Sequence, residues 1–167
     1  MRRTVPLHED ARGSFAELWR NSWTDPLSSK PFVQANISRS AAGVLRGLHF
    51  HMRQTDLWIV LEGRAHVTLV DLRPRLTGDS AAAATFSEVV APGDAILIPE
   101  GVAHGFWALE PLALLYLVTN EYDASDELGF AWNDPEVGAQ WPEGQPVMSP
   151  RDSQAPHLQE ALSQARK

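Results

Sequence analysis

Short apolar segments, separated by glycine and proline, run through most of the chain. Leu57–Leu61 and Ala65–Asp71 are rich in β-branched and other apolar residues and flank Glu62-Gly63-Arg64, a link of hairpin length. Leu112–Thr119 is the most apolar segment of all. Short strands with turn residues between them are typical of a β-sandwich or barrel. The same kind of pattern predicts further extended segments at Ser14–Leu18, Phe32–Ser38, Val44–His51, Phe86–Val90 and Ala95–Ile98.

One helix is predicted, close to the C-terminus. Pro156 is suited to the first turn of a helix, and Leu158 and Leu162 lie one turn apart on the same face. Pro74–Thr85 is poor in large apolar side chains and is predicted to be an exposed loop, in which four alanines could form a single helical turn. The chain is therefore expected to be all-β with a short C-terminal helix.

Length and charge narrow the function classes. The chain has 167 residues, which suits a single domain spanning residues 1–167, and its net charge of −7 argues against nucleic acid or a membrane surface as partner. No apolar run is long enough to span a membrane. Arg2 and Arg3 are not followed by the apolar stretch of a secretory signal, so none is predicted. Cysteine is absent, which excludes disulfides and thiolate sites and predicts a cytoplasmic location.

Four polar residues form the most informative pattern. His49 and His51 are two positions apart, so on a strand they project from the same face, and His104 follows a proline- and glycine-containing turn later in the chain. With Asp56, their spacing resembles the two signature motifs of the cupin family, small β-barrels of which many hold a divalent metal. The resemblance implies a possible metal set of His49, His51, Asp56 and His104. The remaining histidines show no such pattern: we interpret His66 as structural and His8 and His157 as solvent-exposed.

Longer motifs are similar to one branch of the cupins. Gly43–Phe50 (GVLRGLHF), Val70–Arg73 (VDLR), Ile98–Phe106 (IPEGVAHGF) and Trp132–Trp141 (WNDPEVGAQW) resemble the dTDP-4-dehydrorhamnose 3,5-epimerase family. The resemblance implies a cupin double-stranded β-helix, a jelly-roll barrel, over nearly the whole chain. Further matches lie at Asp10–Phe15, Phe32–Asn36 and Met148–Asp152.

The resemblance also implies a reaction. Its substrate would be a nucleotide-linked 4-keto-6-deoxy sugar, with dTDP as the nucleotide. The protons beside the ketone are acidic, so removing one and returning it to the opposite face inverts C3, C5 or both. Such a site needs a base, an acid on the other face, and positive or hydrogen-bonding groups at the enolate oxygen. The resemblance assigns the base to His49, its orienting partner to Asp152 and the acid to Tyr116.

Substrate binding and assembly follow from the same resemblance. Arg46 lies at an odd offset from His49, so on a regular strand it would face outward, and we expect Gly47 to let the strand bend. Barrels of this kind commonly form homodimers by sharing N-terminal strands, and Phe32–Ser38 is the predicted exchange edge. The residues implied to bind nucleotide or sugar are Arg12, Phe15, Glu17, Gln34, Asn36, Arg46 and His104.

Two positions depart from the family pattern. The family's glutamine after the first histidine is His51 here, and the lysine that assists at the oxyanion is replaced by Asp56. The only lysines, Lys30 and Lys167, match neither position. The Ser-Pro-Thr-Phe-Gly stretch expected after the Val-Asp-Leu-Arg motif is also missing. A carboxylate beside an enolate would raise the barrier, because like charges repel in a low-dielectric cavity.

Three accounts of Asp56 stay open at this point. Arg53 could neutralise Asp56 and act as the electrophile, leaving an epimerase of altered substrate range that needs no cofactor. One divalent transition metal, held by His51, Asp56 and His104 with or without His49, could supply the positive charge at the ketone. The protein could then also be a metal-dependent cupin enzyme that acts on another small molecule. The barrel could instead bind a sugar nucleotide without catalysis. If His49 coordinates a metal through its inward nitrogen, it cannot also be the base.

Overall fold

Two five-stranded antiparallel sheets form the barrel in this computed structural model, which describes residues 2–23, 30–79 and 82–166. The strands are β1 (Arg2–Thr4), β2 (His8–Asp10), β3 (Gly13–Phe15), β4 (Gln34–Ser40), β5 (Leu45–Phe50), β6 (Asp56–Glu62), β7 (Ala65–Asp71), β8 (Ala84–Val90), β9 (Asp94–Ile98), β10 (Val102–Ala108), β11 (Leu112–Val118) and β12 (Leu128–Gly129). The first sheet has the order β1-β9-β6-β11-β4, the second has the order β12-β5-β10-β7-β8, and β2 and β3 form a separate hairpin.

The helices are short and lie outside the sheets. Helix α3 (Leu158–Ala165) confirms the predicted C-terminal helix, and its Leu158 and Leu162 are buried as expected. No helix in the described ranges is long and apolar enough to cross a membrane. The α-helices are α1 (Arg73–Leu76), α2 (Pro150–Ser153) and α3 (Leu158–Ala165), and the 3-10 helices are Asn21–Trp23 and Ala124–Asp126.

Alternating side chains divide the apolar residues into three clusters. Trp58 and Val60 on β6 face the barrel interior, where they contact Phe106 and Leu114. Leu57, Ile59 and Leu97 face outward under the N-terminal segment. The outer face of the second sheet is covered by the C-terminal segment, because its cluster contains Leu48, Phe50, Phe130, Leu158 and Leu162. The part of the barrel interior that these side chains do not fill forms a cavity.

The structure confirms most of the predicted strands and corrects one segment. The hairpin around Glu62-Gly63-Arg64 is present between β6 and β7. The predicted loop Pro74–Thr85 is partly wrong, because α1 begins at Arg73 with Pro74 in its first turn, where proline is well accommodated. The described alanines from position 82 onward form no helical turn, since Ala84 already belongs to β8.

Candidate active site

A cavity of about 190 Å³ lies between the two sheets. This is below the roughly 300–1,000 Å³ of pockets that enclose a drug-sized ligand, so it suits a single sugar ring rather than a whole nucleotide sugar. Its lining is mixed polar and aromatic, as expected of a reaction site. The residues that line it are Ser38, Arg46, His49, His51, Gln54, Asp56, Trp58, His104, Phe106, Leu114, Tyr116 and Glu127.

Strand β5 and the residue after it bring two histidines to this cavity. His49 and His51 both line it, as the two-residue spacing predicts, while Leu48 and Phe50 pack on the opposite face. His104 on the neighbouring strand β10 is directly opposite His49 in the strand register. All three predicted histidines therefore share one cavity.

A β-bulge turns Arg46 into the cavity despite its odd offset. On β10, His104 and Phe106 are two positions apart, whereas their partners on β5, His49 and Arg46, are three positions apart. Gly47 lies in the bulge with φ of +117°, and a Cβ atom there would be 2.6 Å from the Cα of Gly105. The predicted bend at Gly47 is thus present, and only glycine fits it.

His49 is held by a short hydrogen bond to Asp152. The Nε2 of His49 lies 2.6 Å from Oδ1 of Asp152, on helix α2. Ser149 caps this helix, since its hydroxyl accepts from the backbone N–H of Asp152 and donates to Oδ2 of the same residue at 3.0 Å. Burial would raise the pKa of Asp152, but the hydrogen bond and charge of His49, with help from Ser149 and Arg151, lower it below its ordinary value. Asp152 is therefore a carboxylate that accepts a hydrogen bond from the imidazole N–H.

Tyr116 reaches the cavity from the opposite sheet. It lies on β11, between Trp58 of β6 and Asn36 of β4 in the strand register. Burial, followed by the negative charges of Asp56 and Glu127, raises its pKa, and Arg46 opposes this only in part. The phenol therefore keeps its proton at neutral pH and can donate it.

Three buried groups form a compact cluster beside His49. His51, Asp56 and His104 each offer one ligand atom, and these atoms lie within 4.8 Å of one another. The Nδ1 atoms of His51 and His104 lie 2.8 and 3.1 Å from the backbone carbonyls of Asp126 and Val102. His49 is outside this cluster, and its Nε2 is bound to Asp152. The four-residue metal set considered from the sequence is thus reduced to three.

Burial also shifts the protonation of the cluster. It raises the pKa of Asp56, against the charge of His51 and the hydrogen bonds from Gln54 and Trp58. It lowers the pKa of His104 well below the ordinary value, and the charges of His51 and His49 act in the same direction. His104 is therefore neutral at physiological pH.

Arg53 is not the partner of Asp56, so that sequence-based account is wrong. The Arg53 side chain is about half exposed and forms an ion pair of 2.6 Å with Asp123. Because Asp123 and the nearby Asp126 both attract the guanidinium, it is held outside the cavity. Lys30 pairs with Glu100 and likewise does not reach Asp56, and Lys167 lies outside the described residues.

The N-terminal residues predicted to bind substrate lie away from the cavity of this chain. Arg12, whose side chain is 90% exposed, pairs with Asp10, and Glu17 pairs with Arg20. Phe15 is 64% exposed. Their role in binding stays a prediction.

Gln34 and Asn36 lie nearer, on β4. Their side chains share a face with Ser38, which lines the cavity, and Gln34 donates to Asn36 at 2.9 Å. Neither residue contributes to the cavity wall itself, so their role in binding also stays a prediction.

Several cavity residues were missed from the sequence. Trp58 donates its indole N–H to Asp56 at 3.3 Å and packs edge-on against His104. The alternation from Asp56 to Trp58 on one strand was a signal for it, and the alternation from Gln34 to Ser38 was a signal for Ser38. Glu127 comes from an irregular segment, so no periodic pattern could have indicated it.

The other histidines agree with their interpretation from the sequence. His8 is exposed, and the side chain of His157 is 82% exposed beside Asp134. His66 packs against Trp141, and its Nε2 is buried without a hydrogen-bond partner among the described residues. None of the three contacts the cavity.

Sequence comparisons match this chain to one family over most of its length. The family model for dTDP-4-dehydrorhamnose 3,5-epimerase matches residues 2–160. The spore coat polysaccharide biosynthesis protein SpsL of Bacillus subtilis is 38% identical over 144 residues, covering 80% of this chain and 89% of that protein. A dTDP-4-dehydrorhamnose 3,5-epimerase of Salmonella typhimurium is 36% identical over 166 residues, covering 92% of this chain and 87% of that enzyme.

Solved structures show the same fold. The dTDP-4-dehydrorhamnose 3,5-epimerase of Bacillus anthracis, with TDP and pyrophosphate bound, superposes with a TM-score of 0.83 at 33% identity, covering 94% of this chain and 93% of that one. The dTDP-6-deoxy-D-glucose-3,5-epimerase of Legionella pneumophila, in complex with dTDP-4-keto-L-rhamnose, gives 0.84 at 30% identity, covering 95% and 87%. The jelly-roll cupin barrel is thereby confirmed, and the chain belongs to the dTDP-4-dehydrorhamnose 3,5-epimerase family.

Proposed function

We propose that this protein epimerises a dTDP-linked 4-keto-6-deoxy sugar at C3, C5 or both. The observation that carries the proposal is the pair His49 and Tyr116, which line one cavity from opposite sheets. A sugar ring between them has one face toward each group. Family membership, and relatives solved with TDP or dTDP-4-keto-L-rhamnose, support this substrate class.

His49 is the proposed base. Because Asp152 accepts the N–H of Nε2, the lone pair of the neutral ring is on Nδ1, which has no hydrogen-bond partner among the described residues. After Nδ1 takes a proton from the carbon beside the ketone, the ring is positively charged. The carboxylate of Asp152 at 2.6 Å stabilises that charge. Asp152 acts through His49 and is a positioning residue.

Tyr116 is the proposed acid on the other face. Its raised pKa keeps the hydroxyl protonated at neutral pH, so it can return a proton to the carbanion carbon. Before the next turnover, the phenolate that remains is re-protonated from solvent and the charged ring of His49 releases its proton to solvent. Proton removal by His49 and return by Tyr116 inverts the centre.

Arg46 is the proposed electrostatic partner of the substrate. It is the only arginine or lysine of the cavity wall in the described part of the chain, and Ser40 accepts a hydrogen bond from its Nε at 3.1 Å. A guanidinium in this position attracts the negative charge of the enolate or of the diphosphate.

The nucleotide is expected to lie outside the cavity, where a second protomer can contribute. Strand β4 is an edge of the first sheet, and Val33 and Ile37 beside or on it are 53% and 56% exposed. We propose a homodimer through this edge, and Ile37→Lys is expected to give a monomer in light scattering, with Ile37→Val staying dimeric. A monomeric wild type would contradict the dimer. The cytoplasmic location stays a prediction.

Deuterium incorporation tests the function directly. The protein is incubated in D2O with dTDP-4-keto-6-deoxyglucose, and NMR follows C3 and C5. The wild type is expected to incorporate deuterium at one or both carbons, and His49→Asn to show only the background rate. His8→Asn, at an exposed site, is the matched control and keeps the wild-type rate. Exchange by His49→Asn at the wild-type rate, or none by the wild type, would contradict the proposal.

A further inference from the structure

We propose that His51, Asp56 and His104 form a binding site for one divalent transition metal ion, and that His49 is not a ligand. The three side chains are 6%, 3% and 5% exposed, and all three line the cavity. Binding itself follows from this cluster alone. The use of the ion in catalysis rests on the proposed function.

The distances suit a single ion. Metal–ligand bonds to imidazole nitrogen and carboxylate oxygen are about 2.0–2.2 Å, so two ligand atoms of one ion lie up to about 4 Å apart. The Nε2 of His104 lies 3.9 Å from Oδ2 of Asp56, and all three ligand atoms lie within 4.8 Å. Shifts of up to about 0.7 Å per ligand atom would bring them to bonding distance.

Backbone carbonyls set the tautomer that a metal requires. A carbonyl oxygen only accepts, so the Nδ1 atoms of His51 and His104 must hold the proton that they donate to Asp126 and Val102. In the neutral rings the lone pair is then on Nε2, and neither Nε2 has a hydrogen-bond partner in the ranges that the structure describes. A second hydrogen bond from the far nitrogen is the usual support of a metal-bound histidine.

The charge around Asp56 also favours a cation. Its carboxylate accepts from Gln54 at 2.8 Å and from Trp58 at 3.3 Å, both neutral donors. It forms no ion pair with lysine or arginine in the described part of the chain. A buried carboxylate without a compensating charge is costly. A proton would neutralise the carboxylate but satisfy neither imidazole lone pair, whereas a divalent ion satisfies all three groups.

The ligand set indicates the class of metal. Two imidazoles and one carboxylate suit Fe(II), Mn(II), Co(II), Ni(II) or Zn(II) rather than Mg(II) or Ca(II), which prefer oxygen ligands. Three protein ligands leave coordination positions for water or a substrate oxygen. An ion there would supply at the sugar ketone the positive charge that a lysine gives in the family pattern and that Asp56 lacks. His49 stays free to act with Asp152.

Binding of Co(II) provides the test. Metal-free protein, prepared with a chelator, is titrated with Co(II) and followed by its visible absorption and by elemental analysis. We expect one ion per chain in the wild type and in His49→Asn. Asp56→Asn and His104→Asn should each weaken binding by more than about 100-fold, beyond the usual cost of losing a supporting group. His8→Asn is the control for loss of a histidine, and thermal melting confirms that each variant is folded.

The outcomes separate this inference from the proposed function. Absence of Co(II) binding to the wild type, or equal loss in His49→Asn and His104→Asn, would overturn the metal site. If the chelated wild type also exchanges deuterium at full rate, the function stands without the metal. If the wild type binds one ion but exchanges no deuterium, the site stands and the proposed reaction fails.

Discussion

The contact between His49 and Asp152 gives the sharpest expectation for a single substitution. Asp152→Asn keeps the size and shape of the side chain. Its amide oxygen can accept from Nε2 of His49, and its amide N–H can donate to the Ser149 hydroxyl, which lies 3.0 Å from Oδ2 of Asp152. The substitution therefore removes a negative charge while it keeps the orientation of the ring.

The magnitude follows from when that charge matters. A hydrogen bond to a charged group contributes about 1.5–3 kcal/mol. His49 becomes charged only as it takes the proton, so the loss is felt at that step rather than on substrate binding. At about 1.4 kcal/mol for each tenfold change, we expect kcat to fall by about 10- to 150-fold. KM is expected to stay unchanged, because Asp152 does not line the cavity.

Steady-state kinetics on the dTDP-4-keto-6-deoxy sugar provide the assay, with thermal melting to show that the variant is folded. Asp71→Asn is the matched control, since Asp71 pairs with Arg73 outside the cavity, and it is expected to keep the wild-type kinetics. A fall in kcat of less than about threefold, or a raised KM at unchanged kcat, would refute the reasoning.

Three further expectations concern stability. Gly47→Ala should lower the free energy of unfolding by at least about 1–3 kcal/mol and should lower activity, because the added Cβ would lie 2.6 Å from the Cα of Gly105 at a positive φ. An unchanged denaturant midpoint would contradict this. Leu162→Ala, at a site 2% exposed, should lower the free energy of unfolding measured in urea by about 2–5 kcal/mol. A change near zero would contradict the packing of the C-terminal helix against the second sheet. Asp134→Ala should lower the free energy of unfolding by about 1–3 kcal/mol at pH 7, because the buried N–H of Leu158 and the part-buried N–H of Glu136 lose their acceptor. Burial raises the pKa of Asp134, but these hydrogen bonds lower it below the ordinary 3.8. The stabilisation by Asp134 is therefore present above about pH 4 and is lost as pH falls through the lowered native pKa. The unfolding free energies of the wild type and Asp134→Ala should therefore converge in acid. A difference between them that grows in acid would contradict this pH dependence.

Local periodicity predicted the parts of the molecule that depend on local chemistry. The two-residue spacing of His49 and His51 placed both in one cavity, because alternation along a strand is fixed by backbone geometry. The odd offset of Arg46 called for a bend, and glycine at position 47 marked where it occurs. The link at Gly63 predicted the hairpin between β6 and β7.

Other features depend on partners distant in the chain. Strands β1 (Arg2–Thr4) and β2 (His8–Asp10) are three polar residues each, so they carry no periodic signal. They are extended because they pair with β9 and β3. Arg53 is held by Asp123, some 70 positions away, rather than by Asp56. Sequence spacing does not predict which carboxylate pairs with Arg53, because that depends on which residues the fold brings close to it.

The roles of base and acid are tested most directly by the stereochemistry of deuterium incorporation in Tyr116→Phe. This variant keeps His49 and Asp152 but has no proton donor on the second face. The account predicts that the sugar still incorporates deuterium beside the ketone in D2O, with retained configuration, because His49 returns the exchanged proton to the face from which it took it. Inversion by Tyr116→Phe at the wild-type rate, or the complete absence of exchange, would contradict the assignment of the two faces.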